Sequence, residues 1–305
     1  MLFRSDGFLH KVEDLVIYDD VITHNGHSTK ISAVTKSKPS IYNGNGDAIS
    51  ITSWLGEPII LTPNHPVFTQ RGWVKAGELQ KSDLLSMPVR KINDEIKSVR
   101  LPMTSERKQG GGKKFSGNHD MILTKEVGFA LGYYLAEGSL HYSKNGPANE
   151  ITLTRHNDES EFADRAITAL IPYISSHSRK QKVGTLTTHE HIYSTALARW
   201  IATELGVKDK KRIPDWFFNC GEDFIIGVLE GLLSGDGSKT NEKSGKYELA
   251  SIRLTTVSSS IATQMRDIAA SLGLGWGAIN VREQGEYYGR NCKKTYVVRW
   301  YDWHW

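Results

Sequence analysis

Two acidic residues occupy matching positions in two similar apolar segments of the chain. Glu137 lies in GYYLAEGS and Asp236 lies in EGLLSGDGS, and a glycine and a serine follow each acid. The apolar spacing before each acid predicts a helix that ends there, which puts both carboxylates at the negative ends of helix dipoles. Two such carboxylates side by side repel each other unless a cation binds between them. Because the ligands are oxygens, the pair suits Mg²⁺.

Small residues spaced four apart offer a contact between these two predicted helices. They are Gly132 and Ala136 in the first helix and Gly231 and Gly235 in the second. Residues four apart share one helix face, so two backbones could approach closely there and bring the acids together. Ala136 and Gly235 are then expected beside the metal, with Glu137 and Asp236 as its ligands and as catalytic residues. The alternative is that each acid-glycine pair is an ordinary helix end, and the repetition favours the shared site.

The sequence around the two acids repeats in a longer pattern. Residues 150–171 and 251–272 each fit a strand that ends in Leu-Thr, a polar cap and an amphipathic helix. A later strand pair follows in each half, near 184–193 and 287–300. A tandem duplication is the economical interpretation, in which each half is helix, hairpin, helix, hairpin, helix.

The region before the first acid has a different character. Short alternating or apolar runs that stop at Gly, Asn or Pro predict an all-β domain over 1–92. The segment 93–120 contains RKQGGGKKFSGNHD and is expected to be a Gly/Lys-rich linker. Residues 121–305 then form an α+β domain, with halves of about 121–210 and 211–305.

Composition excludes several classes of protein. Lys and Arg number 38 and Asp and Glu number 34, a net charge of +4, so any acidic partner must be bound through local placement of charge. Two cysteines are too few for a disulfide framework or a zinc site. The chain has no run of 18 apolar residues and no signal peptide. We therefore expect a soluble, intracellular protein that is neither secreted nor bound to a membrane.

The paired motifs resemble those of a known family. GYYLAEG and EGLLSGDG are similar to the two LAGLIDADG motifs of single-chain homing endonucleases, in the dodecapeptide form found in inteins. The approach KKRIPDWFFNCGEDF before the second motif is also similar. The resemblance covers roughly 124–305. It implies a monomer with two pseudo-symmetric αββαββα halves, an antiparallel saddle on double-stranded DNA with a long target site, and metal-dependent hydrolysis of both strands at Glu137 and Asp236.

Strands that enter a major groove read base edges with every second side chain. The residues expected to bind DNA are Arg155, Thr187 and His189 in the first half and Arg253, Arg282, Arg290, Lys293 and Arg299 in the second. Each alone could be a solvated surface residue, and as a set they favour a DNA surface. The family often has a lysine near each acid that stabilises the phosphate. The matching first-half position near Ser194 has none, so Lys182 and Lys294 are the candidate catalytic residues that stabilise charge on the phosphate.

The β-rich region resembles the Hint domain of inteins. TPNHPVF carries Thr62 and His65 at the spacing of that family's TxxH block, which implies a vestigial splicing site. Two turns, KVEDLVIYDD and AGELQKSDLL, are similar to the family's turns but carry Tyr18 and Ser82 where glycine is usual. The nucleophile and the terminal His-Asn pair of splicing are missing from the sequence, so self-splicing is not expected. The alternatives are a non-cleaving nucleic-acid binder, such as a maturase or regulator, and an intein fragment.

Overall fold

The structure is a computed structural model of the 305-residue chain. It describes residues 2–3, 9–10, 12–24, 27–35, 48–52, 59–86, 89–103, 118–144, 146–181, 184–244, 247–275, 277–287 and 290–301. The chain divides into two compact units, Met1–Lys91 and Ile92–Trp305. In the described part of the chain, no helix has the length and apolar character needed to cross a membrane.

The first unit consists of short antiparallel strand pairs. Its strands are β1 (Leu2–Phe3), β2 (Leu9–His10), β3 (Asp20–Ile22), β4 (Ser28–Lys30), β5 (Ile49–Ile51), β6 (Ile59–Leu61), β7 (Pro66–Thr69) and β8 (Gly72–Lys75). They pair in chain order, each odd-numbered strand with the next. Short 3₁₀ turns at Val12–Asp14 and Ala76–Glu78 precede the two turns that carry Tyr18 and Ser82.

Each of these two turns contains the same type of hydrogen bond, from a backbone N–H to an aspartate three residues later. The Asp19 carboxylate accepts from the backbone N–H of Val16 at 2.9 Å, and the Asp83 carboxylate accepts from that of Gln80 at 2.8 Å. Tyr18 has φ of +73°, a left-handed backbone that glycine adopts more easily. Tyr18 therefore keeps the backbone conformation that a glycine would favour at this position.

The beginning of the predicted linker belongs to the second unit. Strand β9 (Ser98–Arg100) pairs with β10 (Asp120–Ile122). The backbone N–H groups of Glu95 and Ile96 donate to the carbonyl of Asn219, and Leu101 is buried. These residues are thus part of a folded core, a placement that glycine and lysine content could not indicate. The Gly/Lys-rich stretch 104–117 lies outside the described residues.

The second unit continues with two series of elements in similar order. The first series is α1 (Lys125–Glu137), β11 (Gly138–Tyr142), β12 (Ala148–His156), α2 (Ser160–Leu170), β13 (Ser176–Gln181), β14 (Thr187–Tyr193) and α3 (Thr195–Glu204). The second is α4 (Glu222–Asp236), β15 (Gly237–Ser244), β16 (Tyr247–Thr256), α5 (Ser259–Ser271), β17 (Ala278–Arg282), β18 (Gly285–Tyr287), β19 (Arg290–Cys292) and β20 (Thr295–Tyr301).

Each series builds one four-stranded antiparallel sheet. The first sheet has the order β11, β12, β14, β13, and the second has β15, β16, β20, β17. Hydroxyl caps start three of the helices, as Thr124 does when it accepts from Val127 N at the start of α1. The prediction of a mixed α and β region with antiparallel sheets is confirmed.

Helices α1 and α4 pack along a line of small residues that we call the glycine seam: Gly128, Gly132, Gly227, Gly231 and Gly235. A Cβ added to Gly132 would clash with the Val228 carbonyl, and one added to Gly231 would clash with that of Phe129. A Cβ at Gly235 would lie 2.5 Å from the Cβ of Ala136. Only glycine allows this close backbone contact, which fixes the register of one helix against the other.

Candidate active site

The two acids are the last residues of the two seam helices. Glu137 ends α1 and Asp236 ends α4, and in each half the next residue, Gly138 or Gly237, begins a strand. A Cβ at Gly235 would also lie 2.9 Å from the Cγ of Glu137. The Glu137 side chain therefore rests against the residue that precedes Asp236, and the two carboxylates belong to one site.

Burial raises the pKa of both acids, and the charge of Asp236 raises the pKa of Glu137 further. Burial, then the charge of Asp236 and then that of Glu159, raises the pKa of Glu137 to about 7. Burial raises the pKa of Asp236 to about 6. Carboxylates whose charged form is destabilised in this way are a common feature of functional sites, and a bound cation would oppose the shift by stabilising the charged form.

Lys211 is the cation that the structure places at this pair. It is 8% exposed, and its ammonium donates to the Tyr134 carbonyl at 2.8 Å and the Leu135 carbonyl at 3.0 Å. Burial lowers its pKa to about 8, although Asp236 and Glu137 oppose that shift. The same charge lowers the pKa values of both acids against the effect of burial.

The sequence contained only a weak signal for Lys211. It is one of three adjacent basic residues in KKRIP, and it stands in the approach to the second motif. The loop that carries Lys211 begins at Gly206, which has φ of +75°. The Gly206 carbonyl accepts a hydrogen bond from the Tyr134 hydroxyl at 3.0 Å. Spacing along the chain does not reveal that this loop returns to the end of α1.

A cleft of about 280 Å³ opens beside the acid pair. Its lining includes Lys208, Lys211, Asp236, Thr255, Ser258 and Thr295. The Ser258 hydroxyl donates to the Lys211 carbonyl at 2.9 Å and also caps α5. The start of α5 thus fixes the lysine loop, and the cleft is positive and hydroxyl-rich next to the acids.

The donor set at the helix ends fits a divalent metal of the hard, oxygen-binding type. Glu137 and Asp236 offer carboxylate oxygens, and no histidine or cysteine needs to take part. Among the described residues no group of three or more His, Cys, Asp or Glu side chains could hold a metal. A two-carboxylate set leaves positions for water and for phosphate oxygens, which is the usual environment of Mg²⁺.

The first sheet has an inner face and an outer face, and the predicted DNA residues divide between them. Thr187 and His189 on β14 lie on the outer face, where His189 lies opposite Thr154. Arg155 is on the inner face, 5% exposed, and its guanidinium bonds the buried Glu190 carboxylate at 3.1 Å. The prediction that Arg155 contacts DNA is therefore wrong, because its guanidinium is buried and paired with Glu190.

The second sheet carries arginines on the corresponding face. Arg253 on β16 lies directly opposite Arg299 on β20, and Arg282 at the end of β17 is exposed. Lys293 is exposed in the turn after β19. Arg290 begins β19, and its side chain is outside the described part of the chain.

Of the two lysines expected near the acids, Lys294 lies in the described part of the chain. The Lys294 ammonium pairs with Glu283 at 3.0 Å and lies 5.8 Å from the Tyr296 ring. Lys182 lies outside the described residues. Lys211, in the loop before α4, is the described lysine whose charge acts on both acids, and Lys294 pairs with Glu283.

Thr62 and His65 in the first unit are the two ends of one tight turn. The backbone N–H of His65 donates to the Thr62 carbonyl at 3.0 Å, and both side chains are exposed. Cys220 is buried and Cys292 is partly exposed, and both are free thiols.

No protein-family model matches the chain. The curated proteins to which it is similar include three of unlike function. It is 24% identical over 336 residues to the ATP-dependent DNA helicase Hel308 of Thermococcus kodakarensis, across 95% of this chain and 28% of the helicase. It is 22% identical to an iron-sulfur cluster assembly SufBD family protein of Mycobacterium tuberculosis, across 98% of this chain and 36% of that protein. It is 24% identical to RecA of the same species, across 88% and 31%. The chain thus spans about a third of the length of these relatives.

The solved structures that are similar to this chain include two homing endonucleases. I-DmoI in complex with DNA and Mn is 13% identical, with a TM-score of 0.38 over 58% of this chain and 90% of that one. A lysine-to-alanine variant of I-SmaMI is 14% identical, with a TM-score of 0.36 over 56% and 78%. These similarities are remote, so the residues of this chain alone define its site.

Proposed function

We propose that the chain is a site-specific, metal-dependent DNA endonuclease of the LAGLIDADG class that hydrolyses both strands of a duplex. The observation that carries the proposal is the acid pair: two carboxylates of raised pKa meet at the ends of α1 and α4, with the buried ammonium of Lys211 beside them. A buried like-charged pair is costly to a fold, and a cation-dependent reaction is the physical reason to keep it.

Each group has a role in this proposal. When bound, a divalent ion such as Mg²⁺ would polarise a phosphate oxygen and make water a better nucleophile. Glu137 and Asp236 would hold that ion, with the backbone at Ala136 and Gly235 beside it, and would orient water by accepting hydrogen bonds from it. Lys211 has three N–H groups. Two bond the Tyr134 and Leu135 carbonyls, and the third can meet negative charge that develops on the phosphate.

The partner in this proposal is double-stranded DNA, bound by a monomer across the outer faces of the two sheets. Both sheets begin where the acid-bearing helices end, so DNA on the strands would pass over the acids. Arg253, Arg299, Arg282 and Lys293 would contact phosphates and bases, together with Arg290, Thr187 and His189. A long target site follows from the length of two sheets rather than from any one contact.

We further propose that the chain derives from an intein, with a degenerate Hint-like domain over 1–92 and a pseudo-symmetric pair of halves behind it. Nearly the whole chain is similar to a helicase, a SufBD family protein and RecA, but to 28–36% of each. A segment shared by proteins of unlike function is best explained as a module inserted in different hosts. The left-handed Tyr18 and the exposed Thr62–His65 turn agree with a Hint-like fold that no longer splices.

The test is cleavage of a plasmid that carries the host sequence flanking this coding region, joined without it. Purified full-length protein should linearise the plasmid in Mg²⁺ and not in EDTA. Glu137→Gln and Asp236→Asn keep shape and remove charge, and each should lower cleavage by about 10³-fold with duplex binding retained. No cleavage by the intact protein, or undiminished cleavage by both variants, would overturn the proposal.

A non-cleaving DNA-binding protein is the second candidate. Such a protein would keep its DNA-binding function if both acids were replaced by neutral residues. It therefore gives no functional reason for two buried acids at the helix ends. In the plasmid assay this candidate predicts a shift in mobility without a change in DNA length, whereas a splicing fragment predicts neither.

A further inference from the structure

The outer face of the first sheet carries a row of histidines that the proposed reaction does not use. Strand register puts His141 on β11 opposite Glu150 on β12, and puts His191 and His189 on β14 opposite Thr152 and Thr154. These imidazoles occupy neighbouring positions on a single face, and the His189 and His191 rings are 6.3 Å apart. We call this set the histidine row: His141, His189 and His191.

The immediate neighbours of the histidine row are few and polar. His189 bonds the Thr154 hydroxyl at 3.2 Å and lies opposite Lys180 on β13. His191 bonds the Glu150 carboxylate at 2.6 Å, meets Thr152 at 3.4 Å and stacks near Tyr193. Among the described strand residues of this face the charged groups are therefore Lys180 and Glu150, with His156 at the end of β12 opposite Thr187. The opposite charges of Lys180 and Glu150 offset each other.

The matching face of the second sheet carries arginines instead of histidines. Its matching face presents Arg253 directly opposite Arg299, and guanidinium groups stay charged at every physiological pH. If both faces contact one duplex, the described strands of the first sheet offer no net permanent positive charge where the second sheet has Arg253 and Arg299.

We propose that the first sheet gains its positive charge from protons taken up when DNA binds, through the histidine row. This inference rests on the proposed function, because the occupant of the face is the duplex. Histidine is the side chain whose charge readily changes between pH 5 and 8. Backbone phosphates stabilise a charged ring by Coulomb attraction. In the free protein Glu150 supplies such an attraction to His191, whereas the neighbours of His189 are Thr154 and Lys180. Imidazolium also donates from both nitrogens, which suits phosphate oxygens and the acceptors of guanine.

The experiment measures proton uptake on duplex binding by the full chain. Calorimetric titrations with a mixed-sequence synthetic duplex in Ca²⁺ are run in PIPES and in Tris, whose heats of ionisation differ, and affinity is followed from pH 6 to 8. We expect uptake of about one proton per complex at pH 7, which lowers affinity about tenfold for each unit of rising pH. The double variant His189→Gln/His191→Gln should lose at least half of that uptake.

Two variants serve as matched controls. His177 lies on the inner face of the same sheet and bonds the buried Glu190 carboxylate at 2.8 Å, so His177→Gln should keep the uptake of the wild-type chain. Arg299→Gln should lower affinity and leave uptake unchanged. Binding without proton uptake, or equal uptake in the double variant, would overturn the inference. Failure to bind duplex at any pH would overturn the proposed function with it, and circular dichroism of each variant distinguishes unfolding from both.

Discussion

The two four-stranded sheets of the second unit have similar element orders and different chemistry. Their inner faces are apolar, but the first also buries Arg155 with Glu190, whose carboxylate is fully buried. Their outer faces differ more: the first carries histidines and threonines, and the second carries Arg253 and Arg299. The scaffold of strands and helices therefore fixes where a side chain points, and the residue type at each position is free to differ between halves.

The ends of the two seam helices, unlike the sheet faces, carry the same kind of residue in both halves. Glu137 and Asp236 have equivalent places and the same kind of pKa shift, yet the buried ammonium comes from one loop, which follows α3 and precedes α4. The site needs contributions from both halves. The two sheets differ in residue type on their outer faces, whereas at the acids the described chain places one buried lysine, Lys211, whose charge acts on both carboxylates.

Removal of Lys211 should have the largest effect and tests whether the halves share this cation. Lys211→Met keeps the length of the side chain and removes its charge, so cleavage should fall by about 10³-fold. The pKa values of both acids should rise further, because the charge that opposes burial is gone. Measurement of single-turnover rates on each strand of a duplex would show whether both cuts are lost.

Lys210→Met is the matched control, since Lys210 is exposed in the same loop. It should cleave at the rate of the wild-type chain. Loss of one strand's cut only in Lys211→Met would mean that the lysine serves a single half.

The glycine seam predicts the next largest effect, on stability. Gly231→Ala places a methyl group against the Phe129 carbonyl, and separation of α1 from α4 should cost about 3 kcal/mol. Chemical denaturation measures this. Gly273→Ala is the control, because Gly273 has open space and φ of +76°, so only backbone strain of about 1 kcal/mol is expected. Equal losses in both variants would contradict a close-packed seam.

Local signals in the sequence were sufficient for the acids and their helices. A carboxylate before glycine at the end of an apolar period, and small residues four apart, are both set within one helix turn. Arg155 shows how such signals can be misread. It has the same parity as the buried Ile151 and Leu153, so alternation along β12 already indicated the inner face.

Contacts between residues far apart in the sequence could not be predicted from local patterns. Lys211 meets Tyr134 through a loop fixed by α3 and α5, and its position in KKRIP does not specify this. The glycines and lysines after Lys91 predict a linker, although Leu101 and the backbone of Glu95 and Ile96 join the core of the second unit. Composition reports whether a segment can order by itself, and it does not report whether another element will order it.

The pH dependence of stability should distinguish the two acids. The pKa of each acid is raised in the folded chain, so the folded state keeps a proton that the unfolded state releases. For Glu137, stability is unaffected below its ordinary value of 4.5, falls as pH rises toward about 7 and stays low above that. For Asp236 the fall lies between 3.8 and about 6.

Thermal melts in EDTA from pH 5 to 8.5 measure this difference between the halves. Glu137→Gln should be more stable than the wild-type chain at pH 8 by about 2 kcal/mol, and Asp236→Asn should already gain at pH 6. Mg²⁺ or Ca²⁺ should stabilise the wild-type chain at pH 8 and have little effect on either variant. A melting profile of the wild-type chain that does not vary with pH would contradict the buried charge of the pair.

The smallest predicted effect separates the outer faces of the two sheets by their response to salt. Arg299→Gln removes one permanent charge from the second sheet, so duplex affinity should fall about tenfold and the slope of log affinity against log salt should decrease by about one. His189→Gln should change both less at pH 8 than at pH 6, because proton uptake by the complex decreases as pH rises. At pH 6 the two variants should become similar, since His189 would carry a charge that Arg299 carries at every pH. Fluorescence anisotropy at several salt concentrations and both pH values gives the four slopes, and equal slopes for His189→Gln at pH 6 and 8 would show that the sheets differ in residue type without differing in how they bind DNA.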